Sequence, residues 1–208
     1  MLVSKTSDGI PIHEFESHPL RQTFSFRKKM FDPKERKKGN YMNKKIKIMV
    51  FTEGTLIMHA NALNKKRKDI VDQVKKRDTS VHNFQTYIPI GSAPKKLKLW
   101  TSQSIDLIYL TSRTKQNQID QIKDVLIKYN FPKAKLLFRK PDQNYSDVVE
   151  KEEPDILIED DCESIGGKKE MAITYVKPLI RSKIKSIPVK EFEGIDHLSD
   201  KVEDLFNV

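Results

Sequence analysis

The sequence predicts an α/β fold in which a Rossmann-like parallel sheet carries helices on both faces. Two observations support this prediction. Short apolar runs alternate along the chain with longer segments in which apolar residues recur at helical spacing, a pattern typical of βαβ units. The first run, Ile46–Phe51, is almost continuously apolar, as expected for a strand that is covered on both faces.

Five runs are predicted as strands of this sheet because each is short and rich in branched apolar side chains. They are Ile46–Phe51, Ile105–Leu110, Lys135–Phe138, Asp155–Ile158 and Ile184–Val189. The segment Asp78–Gly91 is also predicted to be extended, because Tyr87–Ile90 forms an apolar run before a glycine.

Helices are predicted between these strands. Gln116–Tyr129 has the clearest pattern, because its aliphatic residues recur every three or four positions. Lys65–Arg77, Ala93–Gln103, Tyr145–Glu152 and Ile195–Phe206 complete the set of predicted helices.

The first 41 residues differ in character from the rest of the chain. Residues 1–45 hold 11 of the lysines and arginines but only 5 acidic residues, so most of the net charge of +10 lies there. Residues 1–41 show no helical or strand period and contain three prolines. We therefore expect a disordered basic arm before a folded domain of residues 42–208. Its charge also allows contact with nucleic acid or another polyanion.

Composition excludes some classes of protein. No apolar run approaches the roughly 20 residues that a membrane helix needs. Cys162 is the one cysteine, so no internal disulfide can form, and a cytoplasmic location is expected. No histidine lies near Cys162 in the sequence, which argues against a nucleophilic role for its thiol.

Polar residues follow three of the predicted strands. Glu53–Thr55, Thr111–Arg113 and Glu159–Asp161 each come directly after an apolar run, and Lys140 follows another. If the strands are neighbours in a parallel sheet, these groups meet at its carboxyl edge, where such sheets bind ligands. Carboxylate oxygens suit Mg²⁺, while hydroxyl and ammonium groups suit a phosphoryl group. Structural roles remain open for each group, such as helix capping by Thr111 and Ser112.

The ordered set of motifs resembles the haloacid dehalogenase-like (HAD-like) superfamily, and in particular small members whose substrates are unassigned. Residues 51–56 are similar to its first motif, Asp-x-Asp-Gly-Thr-Leu, although Phe51 and Glu53 replace the two aspartates. Thr111 matches the hydroxyl of the second motif and Lys140 the cation of the third, with Arg139 as the less favoured alternative. The segment Pro154–Asp161 resembles the acidic fourth motif.

This resemblance implies a HAD-like fold with a small cap-type insertion at about residues 57–104. It assigns Glu53, Thr111 and Lys140 to the catalytic positions, and Glu53, Asp160 and Asp161 to the metal ligands. Gly54, Thr55, Thr111, Ser112 and Lys140 would contact phosphate. In this family the first aspartate is the nucleophile, and Phe51 cannot take that part.

Three functions follow from these expectations. The leading one is a catalytically degenerate phosphohydrolase that binds Mg²⁺ with a small phosphorylated ligand or a partner. The enzymatic alternative is an active Mg²⁺-dependent phosphatase that uses water or another carboxylate. The third is a nucleic-acid-associated protein that uses the basic arm, although the sequence shows no reading motif for it.

Overall fold

In the computed structural model, the described part of the chain is residues 44–208. The predicted basic arm, residues 1–41, lies outside the described residues. Within the described part, seven strands form two sheets. The strands are β1 (Lys47–Phe51), β2 (Ile57–Met58), β3 (Ile88–Pro89), β4 (Asp106–Leu110), β5 (Lys135–Leu137), β6 (Ile156–Asp160) and β7 (Lys185–Val189). The α-helices in the same range are α1 (Arg67–Lys75), α2 (Ala93–Thr101), α3 (Gln116–Lys128), α4 (Tyr145–Glu152) and α5 (Pro178–Arg181).

The main sheet has the strand order β5-β4-β1-β6-β7, and each neighbouring pair is parallel. The strand β1 is central, and Val50 pairs with Tyr109 on one side and Ile158 on the other. The prediction of a parallel α/β sheet is therefore confirmed. The first, second and fourth predicted strands are neighbours, so their carboxyl ends share one edge.

Both faces of this sheet are buried. Ile48 and Val50 pack into one apolar cluster with Trp100 of α2 and Ile122 of α3. Met49, between them in sequence, packs into a second cluster that includes Val149 of α4. Successive side chains of a strand point to opposite faces, so the apolar residues of β1 contribute side chains to both clusters.

Two predicted elements are wrong. The first part of Asp78–Gly91 is not extended, because the backbone forms short 3₁₀ turns at Thr79–His82 and Phe84–Thr86, and only Ile88–Pro89 of the segment is a strand, β3. The Asp78 carboxylate starts the first turn by accepting hydrogen bonds from the Ser80 amide at 2.9 Å and its hydroxyl at 2.7 Å. This local bonding competes with an extended conformation.

The predicted closing helix Ile195–Phe206 is also absent, and only Val202–Asn207 forms a 3₁₀ helix. Side chains of α2 and of the residues after it bind this segment instead. Trp100 donates to the Ser199 carbonyl at 3.0 Å, and Gln103 donates to the Asp200 carbonyl at 2.7 Å. These tertiary contacts take the carbonyl groups that a helix would have used.

The segment predicted as a cap-type insertion holds β2, α1, β3 and α2. Strands β2 and β3 pair antiparallel in a separate two-stranded sheet. The end of the segment packs into the main core, where Leu97 and Trp100 are fully buried. Its action as a cap stays a prediction. No helix among residues 44–208 is long and apolar enough to cross a bilayer.

Candidate functional site

The structure brings Glu53 and Thr111 together at the carboxyl edge of the sheet. The Thr111 hydroxyl donates to Glu53 Oε1 at 2.7 Å, and the Thr52 hydroxyl donates to Glu53 Oε2 at 2.5 Å. The Ser112 amide donates to Oε2 at 3.2 Å, and Arg113 Nε lies 3.1 Å from Oε1. Both oxygens of Glu53 are thus held by groups of the protein, and its charge is matched by Arg113.

A second group of carboxylates forms beside β6 and β7. Asp160, Asp161 and Glu191 each offer one oxygen, and the three oxygens lie within 4.8 Å of one another. Asp160 and Glu191 are both buried. We call these three residues the acidic cluster. Glu53, which the resemblance assigned to the metal, is not part of it, and its oxygens contact Arg113 and the two threonines instead.

Sequence reasoning missed Glu191. It lies two residues after β7, whose end pairs with that of β6 through Asp160 and Val189. Its position after a predicted strand is the signal that could have identified Glu191, because parallel sheets bind ligands at the carboxyl ends of their strands. The Ser164 amide and hydroxyl hold its carboxylate at 2.7 and 2.6 Å.

Burial and mutual repulsion perturb the acidic groups. Burial, followed by the charge of Glu191, raises the pKa of Asp160 to about 7, and burial also raises the pKa of Glu191. Burial likewise raises the pKa of Glu159 to about 7, although its carboxylate accepts the amides of Ala172 and Ile173. The site therefore has excess negative charge, which a proton or a metal cation would relieve.

Cys162 lies next to the acidic cluster but is a poor nucleophile. Burial and then the nearby Asp160 carboxylate raise the pKa of its thiol above the usual range. The thiol therefore stays protonated at neutral pH, and only the thiolate attacks efficiently.

Arg67 of α1 supplies the cation that faces the acidic cluster. Its Nη2 lies 3.2 Å from both carboxylate oxygens of Asp161, and its Nη1 contacts Glu163 at 2.5 Å. Its Nε donates to the Glu191 carbonyl at 2.8 Å and lies 3.9 Å from the Glu193 carboxylate. A residue of the insertion thus holds the segments after both β6 and β7.

A cavity of about 170 Å³ lies between the Glu53 network and the acidic cluster. Its wall includes Phe51, Gly54, Ser112, Arg113, Tyr145, Asp160, Cys162 and Glu191 from the core, and His59, Val74 and Tyr87 from the insertion. This volume holds a few water molecules or a small ion and is below the roughly 300 Å³ of pockets for drug-sized ligands.

Phe51 lies at the end of β1, the position to which the sequence resemblance assigns the nucleophile. Its ring packs edge-on against Tyr145, with ring centroids 5.7 Å apart and an interplanar angle of 73°. The ring lines the cavity, so the end of β1 presents carbon where the family presents a carboxylate.

The remaining predicted site residues divide between the cavity and the surface. Gly54 lines the cavity, while Thr55 is fully buried and donates to Asp160 at 3.2 Å. Lys140 is exposed and does not line this cavity. Arg139 lies nearer, because its guanidinium stacks over the ring of Tyr145 at 5.3 Å. The structure therefore does not bring the predicted third-motif lysine to the site.

The chain matches no family model, and it matches none of the curated proteins. Among solved structures it is similar to the class C acid phosphatase from Bacillus anthracis with tungstate bound. The identity is 17% and the TM-score 0.46, over 79% of this chain and 78% of that chain.

A second similar structure is a haloacid dehalogenase-like family hydrolase from Streptococcus pneumoniae. It has 14% identity and a TM-score of 0.39, over 70% of this chain and 94% of that chain. These likenesses concern the fold alone. The described residues form a parallel α/β fold, and the strands that carry the segments resembling the first, second and fourth motifs are neighbours in one sheet.

Proposed function

We propose that this protein is a catalytically degenerate HAD-like phosphohydrolase that binds a divalent cation and does not turn over phosphate esters. One observation carries the proposal. Phe51 fills the place of the nucleophile, and the next carboxylate, Glu53, is engaged by Arg113, Thr52 and Thr111. A covalent phosphoryl intermediate needs a free nucleophilic oxygen at that edge, and neither residue supplies one.

The acidic cluster fits Mg²⁺ by its chemistry. Its donors are carboxylate oxygens, which Mg²⁺ prefers, and they lie within 4.8 Å of one another. Asp160, Asp161 and Glu191 would hold the cation, which would supply positive charge at an edge that otherwise carries a surplus of carboxylates. Thr55 and Ser164 hold two of these carboxylates in place through hydrogen bonds.

A small phosphorylated ligand or inorganic phosphate would enter with the cation rather than alone. The cavity wall carries the carboxylates of Glu53, Asp160 and Glu191. The arginine in this wall, Arg113, is already paired with Glu53. An anion beside these carboxylates is repelled unless a cation compensates them. In the cavity wall, the amide of Ser112 and the guanidinium of Arg113 are hydrogen-bond donors of the kind that bind phosphate oxygens.

Calorimetry with MgCl₂, with and without inorganic phosphate or vanadate, tests the binding half. We expect weak Mg²⁺ binding that tightens when phosphate is present and weakens at least tenfold in Asp160→Asn. Glu203→Gln, which removes an exposed carboxylate outside the site, is the matched control and should bind as the parent does. Absence of any response to millimolar Mg²⁺ with phosphate would leave the acidic cluster with a structural role only.

Turnover of 4-nitrophenyl phosphate with Mg²⁺ tests the catalytic half. We expect none above background in the unaltered protein. Phe51→Asp, alone or with Glu53→Asp, restores the family's first motif and is expected to give slow Mg²⁺-dependent hydrolysis if the folded state survives. Circular dichroism of each variant checks this, since replacing the partly buried ring of Phe51 by a carboxylate costs about 2–5 kcal/mol. Robust activity that Glu53→Gln abolishes would instead establish the enzymatic alternative.

A further inference from the structure

We propose that Arg67 is a positioning residue that holds α1 over the cavity and competes with a divalent cation for the carboxylate of Asp161. We call the contacts of its guanidinium the latch. This inference rests on the proposed cation site and adds a mechanism that controls it. Four acceptors converge on one guanidinium: the carboxylates of Asp161, Glu163 and Glu193, and the Glu191 carbonyl. The side chain is only 23% exposed, so water screens these contacts incompletely.

The rest of α1 is held to the body by few contacts. Ile70 and Val71 are its buried residues, and both lie outside the two main apolar clusters. Gln73 adds one hydrogen bond, to the His59 ring at 3.1 Å. Arg67 is thus the polar contact that ties the start of α1 to the loops after β6 and β7.

The position of α1 bears directly on the cavity. Val74, two turns after Arg67, forms part of the cavity wall. Release of Arg67 would let the start of α1 move away from the acidic cluster and widen the approach to the cavity. Segments with little buried apolar surface open at low free-energy cost, and the apolar residues that α1 buries are Ile70 and Val71 alone.

Arg67 and a divalent cation make competing demands on Asp161. The guanidinium lies 3.2 Å from both oxygens of that carboxylate, and a cation in the acidic cluster needs one of them. Two positive charges on one carboxylate also repel each other. Coupling of this kind is reciprocal: the latch weakens cation binding, and the cation weakens the latch to the same degree.

Cation affinity tests the competition. Mg²⁺ and Mn²⁺ binding to the full chain would be measured by calorimetry for the parent protein, Arg67→Gln, Arg67→Lys and Lys68→Gln. We expect Arg67→Gln to bind roughly five- to tenfold more tightly than the parent, within the usual range of coupling between sites. Arg67→Lys keeps the charge and should change less. Lys68→Gln removes an exposed charge from the next position of the same helix and should bind as the parent does.

Hydrogen exchange of the α1 amides, residues 67–75, tests the latch by a separate readout. We expect Mn²⁺ or Mg²⁺ to speed exchange in the parent and in Lys68→Gln. In Arg67→Gln exchange should be fast from the start and indifferent to the cation. A merely structural arginine would speed exchange when removed but would leave cation affinity unchanged or lower it.

The outcomes separate the two proposals. Cation binding in the parent with unchanged or weaker affinity in Arg67→Gln overturns the competition and leaves the proposed function standing. No cation binding in the parent together with binding in Arg67→Gln supports the competition and contradicts the proposed function for the unaltered protein. No binding in any variant overturns the cation site of the proposed function and the competition with it. If Arg67→Gln does not fold, the cation affinity of Arg67→Lys is compared with that of Lys68→Gln. Tighter binding by Arg67→Lys supports the competition, and equal or weaker binding overturns it.

Discussion

Gly54 allows a close approach between the first motif and the acidic cluster, and its replacement by alanine tests that packing. The backbone of Gly54 has φ of +79°, a region that residues with a Cβ occupy at a cost of about 1–2 kcal/mol. A Cβ at this position would lie 2.7 Å from Asp160 Oδ2 and 3.1 Å from its Cγ. Real Cβ atoms essentially never approach so closely, so Asp160 would have to move.

Asp160 has little room to move. Its oxygens accept hydrogen bonds from the Cys162 amide at 2.9 Å and from Thr55 at 3.2 Å, and it is buried. Overpacking at such a site costs about 1–3 kcal/mol. Together with the backbone strain, and after the gain of about 0.4–1 kcal/mol from a stiffer unfolded chain, Gly54→Ala should lower the free energy of unfolding by about 1–4.5 kcal/mol, a large part of the roughly 5–15 kcal/mol typical of a domain.

Gly167→Ala is the matched control. Gly167 has nearly the same φ, +78°, but a Cβ there meets no atom within 4 Å. Gly167→Ala should therefore lower the free energy of unfolding by the backbone strain alone, which is about 1 kcal/mol after the gain from a stiffer unfolded chain. Urea denaturation of both variants gives the difference. Equal losses would refute the close contact between Gly54 and Asp160, and with it the placement of the first motif against the acidic cluster.

Three further outcomes are expected. Burial lowers the pKa of His59 from 6.5 against the opposing effects of Gln73 and Asp78, with Lys65 adding to the decrease. The folded state thus binds fewer protons at His59 than the unfolded chain, so the contribution of His59 to the free energy of unfolding is complete above about pH 6.5 and is lost as the pH falls. His59→Gln should flatten that part of the pH–stability curve. An unchanged slope would contradict the lowered pKa of His59. Glu53→Gln should lower the free energy of unfolding by about 1–3 kcal/mol, because Arg113 loses its partner, whereas a purely catalytic acid would leave the melting temperature unaltered. Trp100→Phe removes the hydrogen bond to Ser199 and part of a fully buried ring, and a loss of about 1.5–3 kcal/mol in urea denaturation is expected; no loss would show that the segment after β7 is held by other contacts.

The sequence by itself determined the sheet and most of its helices. The strands were found because a sheet covered on both faces requires short, largely apolar runs, and β1 meets this requirement at Ile48, Met49 and Val50, which are all buried. The helix α4 was predicted at its observed bounds, Tyr145–Glu152, with Pro154 after its end, and the structure adds a capping box of Asn144 and Asp147 at its start. These signals are local, so a single sequence carries them.

Tertiary structure decided the partners of the site residues. The sequence placed Glu53 among metal ligands, but Thr111 and Arg113, about 60 positions away, engage its carboxylate. Glu191 joined the acidic cluster because β7 lies beside β6, and sequence alone does not give the order of strands. Likewise the segment after Ile195 has an apolar pattern but no helix, since residues about 100 positions earlier bind its carbonyls.

Arg67 shows the same limit most clearly. In the sequence it is one basic residue in a helix rich in lysine, and nothing local distinguishes it from Lys68. In the fold it lies against Asp161, 94 positions away, and against two further acidic residues. Periodicity reports which face of an element is buried, because burial repeats along the chain. Pairing between charges depends on which distant segments the fold brings together, and only the packed chain determines that.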